Sequence, residues 1–252
     1  MKRLILLLAF IATPVPAQEP QGMAPDERPA GNRAGNSYAN PSAVIAAELA
    51  FAQSAQDNGQ WTAFAASAAP DAVLFRPQMV WAQQWLDGRA NPAVARTRQP
   101  HEVWSSCDGA VVVSHGAWQE TAEFGWFTTV WQRQPDGAYK WVLDHGDVLQ
   151  QALPAPDMLS AHVADCPERV RRPGGPRDGE RARPKRTKKV KLKDLPPLDP
   201  VHRAGIAPDG SLHWDITVAP DGSRTFAAFW NKDGQEQTAL AEQVTARPHR
   251  AP

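Results

Sequence analysis

Glu48 sits near the middle of an apolar arc. From Val44 to Ala55 the residues Val44, Ile45, Leu49, Phe51, Ala52 and Ala55 fall on one side at helical spacing. A carboxylate on that side is costly unless it is paired or lines a cavity. Two readings stay open: an acid or base with a raised pKa in a pocket, or a buried partner for an arginine such as Arg76 or Arg89. His145 is the second candidate. At a period of two it shares a strand face with Tyr139, Trp141 and Leu143, while Asp144 points the other way. It is a pocket base or a hydrogen-bonded histidine at a strand end. His115, in line with Val111, Val113 and Ala117, is either pocket-lining or core. Glu123 and Asp147 fall in loops, where carboxylates are mostly solvated.

Other chemistries lack their residues. There is no Ser-His-Asp elbow, no glycine-rich phosphate loop, and no metal spacing of the H-x-x-x-H or C-x-x-C type. No cofactor and no metal is therefore expected. Two cysteines exclude a disulfide-dense miniprotein and a four-cysteine zinc site. Cys107 and Cys166 allow one intramolecular bridge, the alternative being two buried thiols. The bridge would close a loop of about 60 residues and contribute roughly 4 kcal/mol on chain-entropy grounds.

The elements that must position these residues follow in order. Lys2 and Arg3, an apolar stretch from Leu4 to Ala12, and small residues at Val15 and Ala17 form the pattern of a secretory signal peptide. Residues 1–17 are the expected signal, cleaved after Ala17, and the mature protein is expected in the periplasm, with no transmembrane helix. Residues 18–40 read as a disordered leader. Asn40 is placed to cap a helix and Pro41 suits its first position. Asp57-Asn58-Gly59 ends that helix, and Gln60 to Ala68 forms a second. Beyond Pro70 the period changes to two, with strands over 72–75, 101–107, 110–119, 124–133 and 138–143. Pro135-Asp136-Gly137 joins the last two as a hairpin. This is an α+β plan in which helices cover one face of an antiparallel sheet.

In the strand Phe124 to Arg133, one face carries Phe124, Trp126 and Val130, the other Phe127 and Trp131. A sheet with one solvated face alternates more cleanly. Its second face must also be covered, most simply by a second subunit, otherwise by the chain's own C-terminal segment. A homodimer through that outer face is the first expectation.

The chain is neutral overall, yet residues 169–193 hold twelve Lys or Arg against Asp178 and Glu180, a local charge of +10. With its Pro and Gly content this ribbon reads as a disordered linker over 154–200. Arg181, Arg183, Lys185, Arg186, Lys188 and Lys189 are its candidate polyanion contacts. In an exported protein they favour anionic lipid or cell-surface polymers over nucleic acid. Over 201–246 the runs Leu212 to Val218, Thr225 to Trp230 and Thr238 to Val244 read as a small three-stranded meander.

Residues 41–153 resemble the nuclear-transport-factor-2-like superfamily, the group of SnoaL-like cyclases and ketosteroid isomerases, and more narrowly an exported bacterial branch of it. The carrying residues are Ala47-Glu48-Leu49-Ala50-Phe51-Ala52, Asn58-Gly59-Gln60-Trp61 with Phe64, and Ala69-Pro70-Asp71-Ala72-Val73-Leu74-Phe75. They continue through Trp85-Leu86-Asp87-Gly88, Trp104 with Asp108-Gly109, Gly116-Ala117-Trp118, and Gly137 to His145. The resemblance implies a cone-shaped curved sheet closed by helices, usually dimeric, around an apolar pocket. Phe51, Trp61, His115 and Trp141 are then candidate lining residues. It also implies isomerase, dehydratase or cyclase chemistry with Glu48 or His145 as base. That chemistry needs an oxyanion donor, commonly tyrosine, and only Tyr38 and Tyr139 are present. A non-catalytic pocket for a small apolar molecule is the leading expectation.

Overall fold

In a computed structural model that describes residues 39–167 and 195–246, helix α1 (Pro41–Asn58) starts at the proline marked by the sequence. The Asn40 side chain does not cap it; the Asn40 carbonyl instead accepts from the N–H of Ala43 at 3.0 Å. Gly59 at φ 94° separates α1 from α2 (Gln60–Ser67), a conformation that disfavours any side chain. The first amides of α2 are satisfied from elsewhere: Asn91 Oδ1 accepts from the N–H of Trp61 at 2.7 Å and of Thr62 at 3.1 Å. Val44, Glu48, Phe51 and Ala55 form the buried stripe of α1.

A seven-stranded sheet follows. Its strands are β1 (Ala68–Phe75), β2 (Met79–Trp81), β3 (Thr97–Ser105), β4 (Val111–Glu120), β5 (Glu123–Arg133), β6 (Tyr139–Leu149) and β7 (Ser160–Val163), in the order β2-β1-β6-β5-β4-β3-β7. A short helix, α3 (Ala82–Leu86), joins β2 to β3. Helices packed on a curved sheet make the α+β architecture that the resemblance implies. Two details differ from expectation. The sheet is mixed, because β1 runs parallel to β6 and β7 parallel to β3. And β7 lies inside the stretch expected as linker. Its residues alternate only between half-buried and exposed, so no apolar period betrays it. It is held by its pairing with β3 and by the disulfide Cys107–Cys166 just beyond, which ties the ends of these two neighbouring strands.

The second sheet has four strands, not three: β8 (His202–Ile206), β9 (Leu212–Val218), β10 (Arg224–Lys232) and β11 (Gln235–Val244), in the order β11-β10-β9-β8. β8 is a weakly patterned edge strand. Its Gly205 makes room for the Trp214 indole, which a Cβ would meet at 2.7 Å.

This second sheet covers the outer face of the first. Leu212, Trp214, Ile216, Val218, Phe226 and Ala228 point inward and share a core with Val113, Val130 and Leu143. Each large side chain so buried contributes roughly 1.5–3 kcal/mol, which is what stabilises a unit too small to stand alone. Polar contacts fix the docking: Thr128 Oγ1 donates to Glu242, Arg203 pairs with Asp71 at 3.1 Å, and Asp165 accepts from the N–H of Asp233. The homodimer expected through this face is therefore corrected, since the chain's own C-terminal sheet occupies it. Among the described residues no helix is long and apolar enough to cross a membrane. The signal segment, the leader as far as residue 38 and the basic-ribbon contacts Arg181, Arg183, Lys185, Arg186, Lys188 and Lys189 lie outside the described residues.

Candidate functional site

A cavity of about 510 Å³ opens between the helices and the inner face of the first sheet. Trp61 and Phe64 from α2, Trp118 from β4, and Trp126 and Phe127 from β5 supply its aromatic wall, with Phe75 at the end of β1. Trp118 stands where Gly125 leaves space, since a Cβ there would sit 2.2 Å from the indole. Its Nε1 donates to the Trp126 carbonyl at 3.1 Å, which locks the ring.

Four arginines line the same cavity: Arg76, Arg96, Arg98 and Arg224. Arg98 on β3 is the most buried, its side chain 6% exposed. Its guanidinium lies 3.7 Å from the centre of the Phe127 ring. Nη2 donates to Asp144 Oδ2 at 2.9 Å and to Thr129 Oγ1 at 2.7 Å, and Thr129 Oγ1 donates in turn to Asp144 Oδ2 at 2.7 Å. The three side chains close a polar triangle on one wall. Arg96 pairs with Glu120 at 2.7 Å and lies over Trp118.

Glu48 is buried as expected, but it lies behind this wall and does not line the cavity. Its Oε1 accepts from Ser114 Oγ and from Trp131 Nε1, the latter at 2.8 Å. Burial pushes its carboxyl above the usual range, against the opposing pull of the Arg98 charge and the two hydrogen bonds. The arginine that it feels is thus Arg98, in place of Arg76 or Arg89. Those two stack on Trp85 instead, at 4.3 and 3.5 Å.

His145 borders the cavity yet faces the other sheet. A bulge in the β5–β6 ladder pairs Val130 with Leu143 and Trp131 with Trp141, so Val142 is an extra residue. The bulge reverses the alternation. Trp141 turns inward, its Nε1 donating to the Phe64 carbonyl at 3.1 Å, while Leu143 and His145 turn outward. The shared face expected for Trp141 and His145 does not exist. The His145 ring lies among Trp126, Phe226 and Phe75, with Nε2 3.1 Å from Glu242 Oε2. Burial lowers its pKa, and Glu242 only partly offsets this. His115 is on the same outer face, Nδ1 2.8 Å from Glu242 Oε1. For Glu242 burial favours the neutral acid, but the bonds and charge of His115 and His145 outweigh it and hold the carboxyl down at about 2.

Of the four candidate lining residues, Trp61 alone lines the cavity. Phe51 and Trp141 are core, packed edge-on against Phe64 at 4.8 and 5.8 Å. His115 belongs to the contact between the sheets. Sequence reasoning passed over Phe64, Trp118, Phe127, Arg96, Arg98 and Arg224 as lining residues. One signal was available: Arg96 and Arg98 stand two apart at the start of a strand, a spacing that puts both on one face.

Asp144 is engaged by Arg98 and Thr129, Glu48 lies beneath the wall, and His145 is turned to Glu242. Tyr139, the one described tyrosine, donates to the Gly109 carbonyl at 2.6 Å and lies off the cavity. Among the described residues no group of three His, Cys, Asp or Glu could hold a metal ion.

No protein-family model and no curated protein matches the chain. Solved structures that it resembles include a protein described as a "putative ketosteroid isomerase" from Parabacteroides distasonis. That match has 16% identity and a TM-score of 0.36, over 46% of this chain and 97% of the other. Another is a protein with unknown function of the DUF3225 family from Pectobacterium atrosepticum. It has 12% identity and a TM-score of 0.35, over 44% of this chain and 91% of the other.

Proposed function

We propose that the chain is an exported protein that binds a small molecule with an apolar body in the cavity, without carrying out chemistry on it. One observation carries the reading: the 510 Å³ space has an aromatic wall, while each acid or base near it is already engaged by the protein. A cavity of this size suits a ligand of a few fused or linked rings or a short chain. Export is supported by the signal-peptide pattern of residues 1–17 and by the Cys107–Cys166 disulfide, a bond that persists in oxidising compartments.

Native mass spectrometry tests this on protein exported to a bacterial periplasm and purified without reductant. The expected result is a chain beginning at Gln18, lacking two hydrogens after denaturation, with a small molecule attached under gentle conditions. Glu48→Gln should leave that molecule bound. Catalysed exchange of a carbon-bound proton in a carbonyl-containing ligand would overturn the non-catalytic reading.

A further inference from the structure

The cavity is not confined to one side of the sheet. Its lining takes Asp144, Gly146 and Val148 from one face of β6, and His145 and Asp147 from the other. The reason lies in the β1–β6 ladder. Its last paired residues are Val73 and Leu143, yet β6 runs on to Leu149, paired beyond that point with β5 alone. A gap opens between Phe75-Arg76-Pro77 and the end of β6. The turn between β9 and β10 closes its far side, where Gly222 lies so near Pro77 that a Cβ would sit 3.2 Å from the proline Cβ, and Gln78 Nε2 donates to the Pro220 carbonyl at 3.3 Å. The second sheet therefore forms part of the wall.

Arg76, next to Phe75, and Arg224, bonded to Gly146, both line the cavity at this gap. Arg76 Nη1 donates to the Phe75 carbonyl at 2.9 Å. Arg224 Nη2 donates to the Gly146 carbonyl at 2.7 Å, with its guanidinium 4.8 Å from the centre of the Phe75 ring. Arg96, Arg98 and Arg203 each have a carboxylate within 4 Å. Among the described residues Arg76 and Arg224 have none. Burial lowers the pKa of Arg76 to about 10; Asp144 attracts its charge from beyond ion-pair range, and Arg96, Arg89 and Arg224 repel it. Arg224 Nε is buried with no partner among the described residues, and burial brings its pKa down to about 10.

The nearby carboxylates are committed elsewhere. Asp144 is held by Arg98 and Thr129, Asp221 accepts from the N–H and Oγ of Ser223, and Asp147 accepts from the N–H of Val148. Two guanidinium groups lining one opening, fixed by carbonyl oxygens and without a carboxylate in ion-pair range, are the donor set for an oxyanion.

Resting on the binding function proposed above, we infer that the ligand is an amphiphilic carboxylate, its apolar body against the aromatic wall and its carboxylate held in the gap by Arg76 and Arg224. The planar fork of arginine matches a carboxylate in two parallel hydrogen bonds. Because Arg224 comes from the second sheet, the site is complete only when that sheet is docked.

The test uses two probes with one body, 1-naphthaleneacetate and its neutral amide, 1-naphthaleneacetamide. Binding to the full exported chain is read by calorimetry and by quenching of tryptophan fluorescence. The acid should bind at least about tenfold more tightly than the amide. Arg76→Gln and Arg224→Gln should each remove most of that preference, weakening the acid far more than the amide. Arg224→Gln could also loosen the second sheet, so thermal melting is measured alongside. Arg76→Gln alters no residue of that sheet and carries the test independently. Equal binding of acid and amide to the unaltered chain would overturn the carboxylate inference and leave the apolar pocket standing. Binding of neither probe would overturn both.

Discussion

On the inner face of the seven-stranded sheet Glu48 is held by two neutral donors, Ser114 and Trp131; on the outer face Glu242 is held by Thr128 and two histidines. The side chains of both glutamates are largely buried, that of Glu48 the more completely. The inner site pushes its carboxyl up, and the outer site pulls its carboxyl down to about 2. Burial of the side chain therefore does not by itself fix its chemistry. What decides is whether a cation-forming partner stands within hydrogen-bond reach. Glu48 is a hydrogen-bonding member of the core that holds its proton more tightly than a free carboxyl. Glu242 is a charged clamp between two sheets.

The comparison breaks most visibly if the outer face does not need its cover. Deleting residues 195–252 should expose Trp126, Val130 and their neighbours. The shortened chain should aggregate or self-associate, as read by size-exclusion chromatography with light scattering. A soluble, cooperatively melting monomer would show that the second sheet is an accessory. Replacing both Cys107 and Cys166 by alanine should cost about 4 kcal/mol in urea unfolding, since it frees the ends of β3 and β7 beside the docking site.

Glu242→Gln should cost on the order of 3 kcal/mol at neutral pH, the equivalent of lowering a carboxyl from 4.5 to about 2. The pH profile sharpens this. Glu242 has a depressed folded pKa, so its contribution is present above 4.5 and is lost as pH falls toward about 2. His145 also has a lowered folded pKa, so its contribution is present above 6.5 and is lost as pH falls through the folded value. Stability should thus decline below pH 6.5 and more steeply below 4.5, and Glu242→Gln should flatten the second decline. Glu48 has the opposite sign. Its folded pKa is raised, so its contribution is present below 4.5 and is lost as pH rises through the folded value. The smallest effect belongs here. Glu48→Gln preserves the shape of a neutral acid and should change stability by less than about 1 kcal/mol. A loss equal to that of Glu242→Gln would mean that Glu48 is ionised and that the contrast is false.

Much of the local structure was legible in the residues. Pro41 and Gly59 bound α1, Val44, Phe51 and Ala55 of the expected arc form its buried stripe with Glu48 while Leu49 is exposed, and Pro135-Asp136-Gly137 joins β5 to β6. β7 and β8 were not legible, because these edge strands alternate only between half-buried and exposed residues and bury no apolar side chain fully. The cavity was legible in part. Trp61 follows from its helix, but Arg98 is identified by Phe127, Thr129 and Asp144, which come from two other strands.

Helical and strand periods, turn glycines and the choice of a single cysteine pair depend on neighbours along the chain, and the amino-acid order alone carries them. Which face His145 takes depends on one extra residue at Val142, and a slip of one residue in a strand exchanges its two faces. What covers the outer sheet depends on contacts such as Thr128 with Glu242 and Arg203 with Asp71, which join segments more than a hundred residues apart. Such contacts exist only where both sheets are docked. The partner of each buried charge, and with it that charge's chemistry, was therefore decided by packing.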